Sequence, residues 1–424
     1  MRILIKQVTI QDSRSEFFGK QVDLLAEDGK WIQIATSIQA SADVVIEEAD
    51  ASWSPSVVDL RVHHTLPGGE FREDWASLQA AALQGGVLDM LLLPTGEPVA
   101  QTAESIQFII QKGFHAMAPL TVDNKGENFA DLMDLHQAGA NWFGHGAGSL
   151  QHVDLMGKCL QYLQTLPVTI VSRPDTASLS LYGQIHEGLQ ATLQGMKGIP
   201  VLAETLSIQR DLDLLRYVRG NDFGQTSPSF RLHFACLSSA QSVELIRAAK
   251  AEGLPVTSDV AVHQLIFTEE AVADFDTHMK VFPPFRTTTD REALWEGLKT
   301  GVIDAVVSDH HPIEYEAKAV EFDQAAFGTI GLETLFVAFA QEAKARKLKH
   351  AIDYITLKPA HLLGVQLPEL QVGAASKGFV YVTQKQEPYA ESMIKSKSKN
   401  SCFIGHSFDH QVRYVLQGGL LTKI

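Results

Sequence analysis

The chain has 424 residues, of which 45% are hydrophobic and 20% charged, with 31 Gly and 16 Pro; this is the composition of a packed globular protein and excludes disordered and collagen-like classes. Its 35 Lys and Arg against 50 Asp and Glu give a formal net charge of -15, which repels phosphate backbones and anionic headgroups and argues against nucleic acid and membrane partners. The length suits one large domain with a small one beside it.

The opening segment, MRILIKQVTI, lacks a charged n-region followed by an apolar h-region, and no apolar run approaches the ~18 residues of a membrane span. Over the first fifty residues, apolar and polar residues alternate: Ile3 and Ile5, Val22 and Leu24, then Ile32 and Ile34, with Asp28-Gly29 as the hairpin turn between the last two runs. From about Pro55 to Gly364, short apolar runs alternate with segments of helical period. Ser242 to Gly253 followed by Leu254-Pro255-Val256-Thr257 is one such unit, and the alternation predicts parallel strands covered by helices. Thr289 with Glu292 reads as a capping box ahead of Ala293-Leu294-Trp295, and Gly301 closes that helix before a buried strand, Val302 to Val307. The units approach eight, the number that closes a (β/α)8 barrel with its reactive groups at the strand ends. An open doubly wound sheet competes, but no GxGxxG follows an early strand. The last fifty residues return to β pattern, with Phe379 to Val382 and Val412 to Val415 flanking a polar stretch, Lys395 to Asn400. Residues 1–54 and 366–424 are therefore expected to form a β flank, and residues 55–365 the barrel. Cys159, Cys236 and Cys402 show no CxxC spacing, which supports neither a disulfide framework nor a zinc ribbon and points to a reducing, cytoplasmic setting.

Three strand ends carry candidate chemistry. In Val57-Val58-Asp59-Leu60-Arg61-Val62-His63-His64, residues two apart share a face, so Asp59, Arg61 and His63 are expected to point together into the barrel mouth. His63 reads as a metal ligand or a hydrogen-bonded histidine, while Arg61 has no lone pair and cannot ligate a cation. Val306-Val307-Ser308-Asp309-His310-His311-Pro312 offers Asp309, as metal ligand, general base or partner of Arg61. Cys236, in Phe234-Ala235-Cys236, is a thiolate ligand or simply a buried thiol, the latter favoured. Glu204 ends a further apolar run and is expected to pair with Arg210 or another neighbouring base.

In order along the chain, these segments resemble dihydroorotase of the amidohydrolase superfamily. The resemblance rests on Val58 to His63 with Pro67-Gly68, Ile185-His186-Glu187-Gly188, Gly198-Ile199-Pro200 through Glu204 to Asp211, and Ser238 to Thr257. It continues through Pro283-Pro284-Phe285-Arg286, Asp290 to Leu294, Ser308 to Pro312, Phe327-Gly328, Gly331 to Thr334, Lys358-Pro359-Ala360 and Ser396 to Asn400. It implies a TIM-type barrel with a small β-sandwich domain from the two chain ends, and a metal-dependent enzyme that interconverts dihydroorotate and carbamoyl aspartate in pyrimidine synthesis. The metal-binding positions of the family, however, are mostly exchanged. Its HxH pair falls on Arg61 and His63, its bridging Lys or Asp on Gly144-His145-Gly146, a ligand His within Val171 to Asp175 where none exists, and another on Cys236. The substrate-holding positions fall on Thr65, Thr95, Phe282 and Ile313, and none can hold a carboxylate bidentately.

Without metal, water keeps a pKa near ~15.7 rather than ~7. The expectation is thus a catalytically degenerate homologue without cofactor. It resembles the inactive dihydroorotase-like chains that associate with aspartate carbamoyltransferase, with self-association as a further partner mode. The alternative is an active zinc amidohydrolase with a rebuilt site drawn from His63, Cys236 and Asp309, with His145, His310 or His311.

Overall fold

The computed structural model describes residues 1–221, 226–385 and 387–424. Five strands open the chain: β1 (Arg2–Ile10), β2 (Gln21–Glu27), β3 (Lys30–Ala35), β4 (Val44–Glu47) and β5 (Ala51–Ser54). The barrel strands β6 (Val57–His63), β7 (Val87–Leu93), β8 (His115–Pro119), β9 (Trp142–Gly144) and β10 (Thr169–Ser172) come next. A short parallel pair, β11 (Ile185–His186) and β12 (Gly198–Ile199), interrupts them before β13 (Arg231–Phe234), β14 (Val256–Ala261) and β15 (Ala305–Val307). The chain ends in β16 (Gly378–Thr383), β17 (His410–Gln417) and β18 (Leu420–Lys423).

Strands β6 to β10 and β13 to β15 pair in parallel, in the order β15-β14-β13-β10-β9-β8-β7-β6. The ring closes where His63 N donates to the carbonyl of His310 at 2.8 Å, beside the bridge between Val62 and His310. This is the (β/α)8 barrel the alternation predicts. Its interior is packed with Leu60, Leu91, Met117, Trp142, Val171, Val307 and their neighbours, Cys236 among them. A larger apolar layer joins the outer strand faces to the helices. Strands from both chain ends build the flank as one hydrogen-bonded sheet, β18-β17-β16-β5-β1-β2-β3, with β4 alongside β1.

Three local expectations need correction. The helix Thr288–Lys299 is capped by Thr287, whose hydroxyl accepts from Asp290 N, with Asp290 returning to the cap N–H; the box therefore lies two residues before Thr289 and Glu292, because three consecutive threonines precede the first acidic residue. The Asp28-Gly29 turn forms, both residues with positive φ, but a register shift between Leu25 and Ala26 turns Trp31 inward and leaves Ile32 exposed. The stretch Lys395 to Asn400 lies against the barrel rather than in the sheet: Glu333 accepts from the backbone N–H groups of Lys395 and Ser396, Glu73 from that of Lys397, and Asn400 donates to the carbonyl of His311. Among the described residues no helix is long and apolar enough to cross a membrane.

Candidate functional site

At the carboxyl ends of the barrel strands, Arg61 and His63 come from β6, Arg173 follows β10, Cys236 follows β13 and Asp309 follows β15. Arg61 Nε donates to Asp309 Oδ1 at 2.7 Å, and His63 Nε2 lies 3.5 Å from the same oxygen. Both members of the ion pair are buried, Arg61 2% and Asp309 7% exposed. Burial opposes ionisation of Asp309, but Arg61, His63 and Arg173 outweigh it and hold the carboxyl far below the usual range. The main chain is left-handed at Cys236 (φ 55) and Asp309 (φ 48), so each strand bends sharply as it reaches the mouth.

The imidazole of His63 stacks on that of His311, ring centres 3.9 Å apart and planes 10° from parallel. Burial, helped by the charge of Arg61, lowers His63 to about 4, and burial pushes His311 well below the normal value; both rings are neutral at pH 7. The Arg173 guanidinium lies 4.4 Å from the centre of the Phe282 ring and donates to the Phe282 carbonyl. Burial pushes the Cys236 thiol well above its ordinary value, while Cys236 N donates to Asp259 Oδ1 at 2.6 Å. The other oxygen of Asp259 meets His233 Nε2 at 2.8 Å, and His233 Nδ1 faces the Thr257 hydroxyl at 2.8 Å. Arg61, His63, Arg173, Phe282, Asp309 and His311 border a cavity of about 240 Å³, which shares His63, Asp175 and His311 with an adjoining one of about 710 Å³.

Asp59 does not reach the mouth. A register shift between Asp59 and Val62 reverses the alternation in β6, so Val58 and Leu60 pack inside the barrel whereas Val57 and Val62 pack toward the helices. The Asp59 carboxylate instead closes the seam, accepting from Arg61 N and from the amide and hydroxyl of Ser308. Glu204 lies in the first turn of the helix Val201–Gly220 rather than at a strand end. Its partners are Ser238 N at 2.9 Å, the Ser238 hydroxyl and Arg286 at 3.8 Å, whereas Arg210 pairs with Asp211. His64 packs beside Trp75, away from the mouth, and His310 Nε2 faces Glu73 at 3.4 Å. His145 lines the wider cavity with Nδ1 3.2 Å from the Thr121 hydroxyl. Among the substituted positions, Thr65 donates to the Gly69 carbonyl, Thr95 to the His64 carbonyl, Ile313 is buried, and Phe282 forms the platform under Arg173.

Residues 53–224 match the family described as Dihydro-orotase-like. The chain is 34% identical over 416 residues to a protein named dihydroorotase from Pelotomaculum thermopropionicum, covering 96% of this chain and 94% of that one. The chain belongs to the dihydroorotase family. A second dihydroorotase, from Syntrophotalea carbinolica, is 33% identical over 95% of this chain and 94% of its own. Among solved structures, L-hydantoinase (dihydropyrimidinase) from Arthrobacter aurescens superposes with a TM-score of 0.82 at 21% identity, covering 99% of this chain and 96% of that one. Dihydropyrimidinase from Brevibacillus agri gives 0.79 at 19%, covering 99% and 95%. These likenesses establish the shared fold.

Membership in the dihydroorotase family raises the question of a divalent cation, and the residues present do not fit one. The Asp309 oxygen that would face it is taken by the Arg61 N–H. Two guanidinium groups, Arg61 and Arg173, border the cavity, and the Cys236 thiol is held protonated, whereas zinc wants thiolate, neutral imidazole or carboxylate donors converging within ~2.0–2.3 Å. Among the described residues, no group of three or more His, Cys, Asp or Glu is arranged to hold a metal ion. Among the groups bordering the cavity, the Asp309 carboxyl is held far below the usual range and burial lowers the His63 and His311 rings, whereas burial raises Asp175; a general base needs a pKa near the working pH and reach to its proton. Burial raises Asp59 to about 6, but that carboxyl is fully buried in the seam.

Sequence reasoning missed Arg173 as a member of the site and the Asp259–His233–Thr257 chain behind Cys236. Arg173 carried the same signal as Arg61, a basic residue at the end of an apolar run. The chain behind Cys236 depends on which strands are neighbours and leaves no local pattern.

Proposed function

We propose that this chain is a catalytically silent dihydroorotase homologue of pyrimidine biosynthesis that serves as a structural partner of aspartate carbamoyltransferase. The observation that carries the silence is the buried Arg61–Asp309 pair at 2.7 Å, which puts a permanent side-chain cation against the carboxylate that would otherwise hold a metal or accept a proton. Retention of the scaffold supports a role in assembly: the barrel closes and helices such as Ala240–Ala251 and Thr288–Lys299 carry side-chain caps, while the reacting groups are exchanged. The identity of the partner rests on the resemblance to inactive chains that associate with that enzyme.

The test combines elemental analysis and carbamoyl aspartate cyclisation on one purified sample with co-sedimentation against the same organism's aspartate carbamoyltransferase. Substoichiometric zinc, no turnover and a stable complex are expected. Stoichiometric zinc with turnover that disappears in Asp309→Ala would establish instead a rebuilt hydrolytic site on His63, Cys236 and Asp309. Failure to co-sediment would remove the partner role.

A further inference from the structure

The excursion between β10 and β13 shows solvent apolar side chains where polar ones are the rule. Leu181, Tyr182, Leu189, Leu193, Leu202 and Leu206 are each 46% to 76% exposed. The helix Leu189–Gln194 is inverted relative to an ordinary surface helix: its two leucines face out, while Ala191 is buried and the Gln194 amide donates to the Val272 carbonyl at 2.9 Å. Leu202 and Leu206, four residues apart, share the outer face of the first turns of the long helix Val201–Gly220. Beyond them that face becomes polar, with Gln209, Asp213 and Arg216 bonded to one another. Tyr182, the most exposed of the six, has φ 61, a left-handed backbone that a bulky residue adopts only where its surroundings impose it.

The three segments belong to one lobe. Gln184 N donates to the Lys197 carbonyl at 2.8 Å beside the β11–β12 pair. Lys197 Nζ donates to the Leu181 carbonyl and lies 5.7 Å from the centre of the Tyr182 ring. Thr176 N donates to the Ala203 carbonyl at 2.8 Å, which ties the lobe to the start of the long helix. Six side chains at this exposure amount to on the order of 600 Å², the top of the ~300–600 Å² of the largest apolar patch on a typical monomer and most of the ~800 Å² that each partner gives to a standard interface.

Charge selects what covers this face. Of the 34 residues from Thr176 to Gln209, three are charged: Glu187, Lys197 and Glu204. Glu204 is buried against Ser238 and Arg286, which leaves one charge of each sign outside, on a chain whose net charge is -15. Two copies of an acidic chain repel across most of their surfaces, so a neutral apolar face is where they can meet. A partner of opposite charge has the acidic remainder of the surface to use and gains nothing electrostatic from this lobe. We propose that the lobe is an isologous interface with a second copy of this chain, the outward leucines packing about a two-fold axis. The interface uses none of the groups at the barrel mouth, so it stands or falls apart from the reading of that mouth as silent.

Sedimentation equilibrium on the full chain is expected to give a dimer with a dissociation constant in the micromolar range or below, tightening as salt screens the repulsion between acidic copies. Leu189→Glu with Leu193→Glu is expected to weaken dimerisation at least ~tenfold, with the circular dichroism spectrum unchanged because both side chains are exposed. Should that double variant fold poorly, Leu202→Glu decides in its place. Leu420→Glu, at an equally exposed leucine on β18, is expected to leave the dimer intact. A wild-type chain that stays monomeric at every concentration overturns the proposal, as does a dimer that persists in the lobe variants or comes apart as salt is added. A monomer whose complex with aspartate carbamoyltransferase is lost in Leu189→Glu with Leu193→Glu assigns the lobe to that enzyme and likewise overturns the self-contact.

Discussion

Arg61 and Asp309 are each stable in the barrel only because of the other. Removing one partner of a buried pair strands a charge, at a cost of ~3–5 kcal/mol, whereas replacing both with apolar residues of similar volume is often neutral. Arg61→Met is therefore expected to lower the stability to urea by an amount in that range, and Arg61→Met with Asp309→Leu to recover most of it. A single variant costing under ~1 kcal/mol would mean that water already reaches the pair. This pairing could be read from the sequence, because both residues end apolar runs that converge at one end of a barrel. That Arg173 forms no ion pair among the described residues could not be read, since it depends on Asp309 having been claimed by a residue from another strand.

At the scale of elements, the lysine-rich stretch Lys395 to Asn400 looks in sequence like a solvated connection. Its serines and asparagine are instead buried, with Ser396 0% and Asn400 3% exposed, and Glu73 and Glu333 collect its backbone N–H groups. Glu73→Ala leaves the Lys397 amide and the Ser396 hydroxyl without their acceptor, at ~1–3 kcal/mol for each buried group left unpaired. Limited trypsin digestion is expected to cut at Lys395, Lys397 or Lys399 at least ~tenfold faster in this variant, because proteolysis follows the open population. Unchanged cleavage would show that Glu333 alone pins the strap. The strands and helices themselves were readable from periodicity, yet the bulge between Asp59 and Val62 was not. It arises from how β6 pairs with β7, and no single-strand pattern encodes it.

Across the whole molecule, burial lowers His63, His64, His186 and His263 to about 4 from 6.5. A ring whose folded pKa lies below its unfolded value binds fewer protons in the native state throughout that interval. The stability it contributes is complete above pH 6.5 and falls as the pH drops toward 4, by ~1.4 kcal/mol per unit per ring. Asp59, raised by burial from 3.8 to about 6, has the opposite sign, its contribution declining as pH rises between those values. Four rings outweigh one carboxyl, so urea midpoints are expected to fall steadily from pH 6.5 to pH 5. A flat profile would show that the rings are solvated. Much of this was hidden in the sequence, where sixteen histidines look alike until burial separates them.

The bends at Cys236 and Asp309 belong to the main chain. Where the main chain itself aims a residue, the direction survives a change of side chain, and only the chemistry delivered along that direction is rewritten. The path of the backbone at these two strand ends is thus indifferent to whether a hydrolase or an ion-paired scaffold is built on it. Between those two trades, the distance at this mouth is counted in side chains and not in architecture.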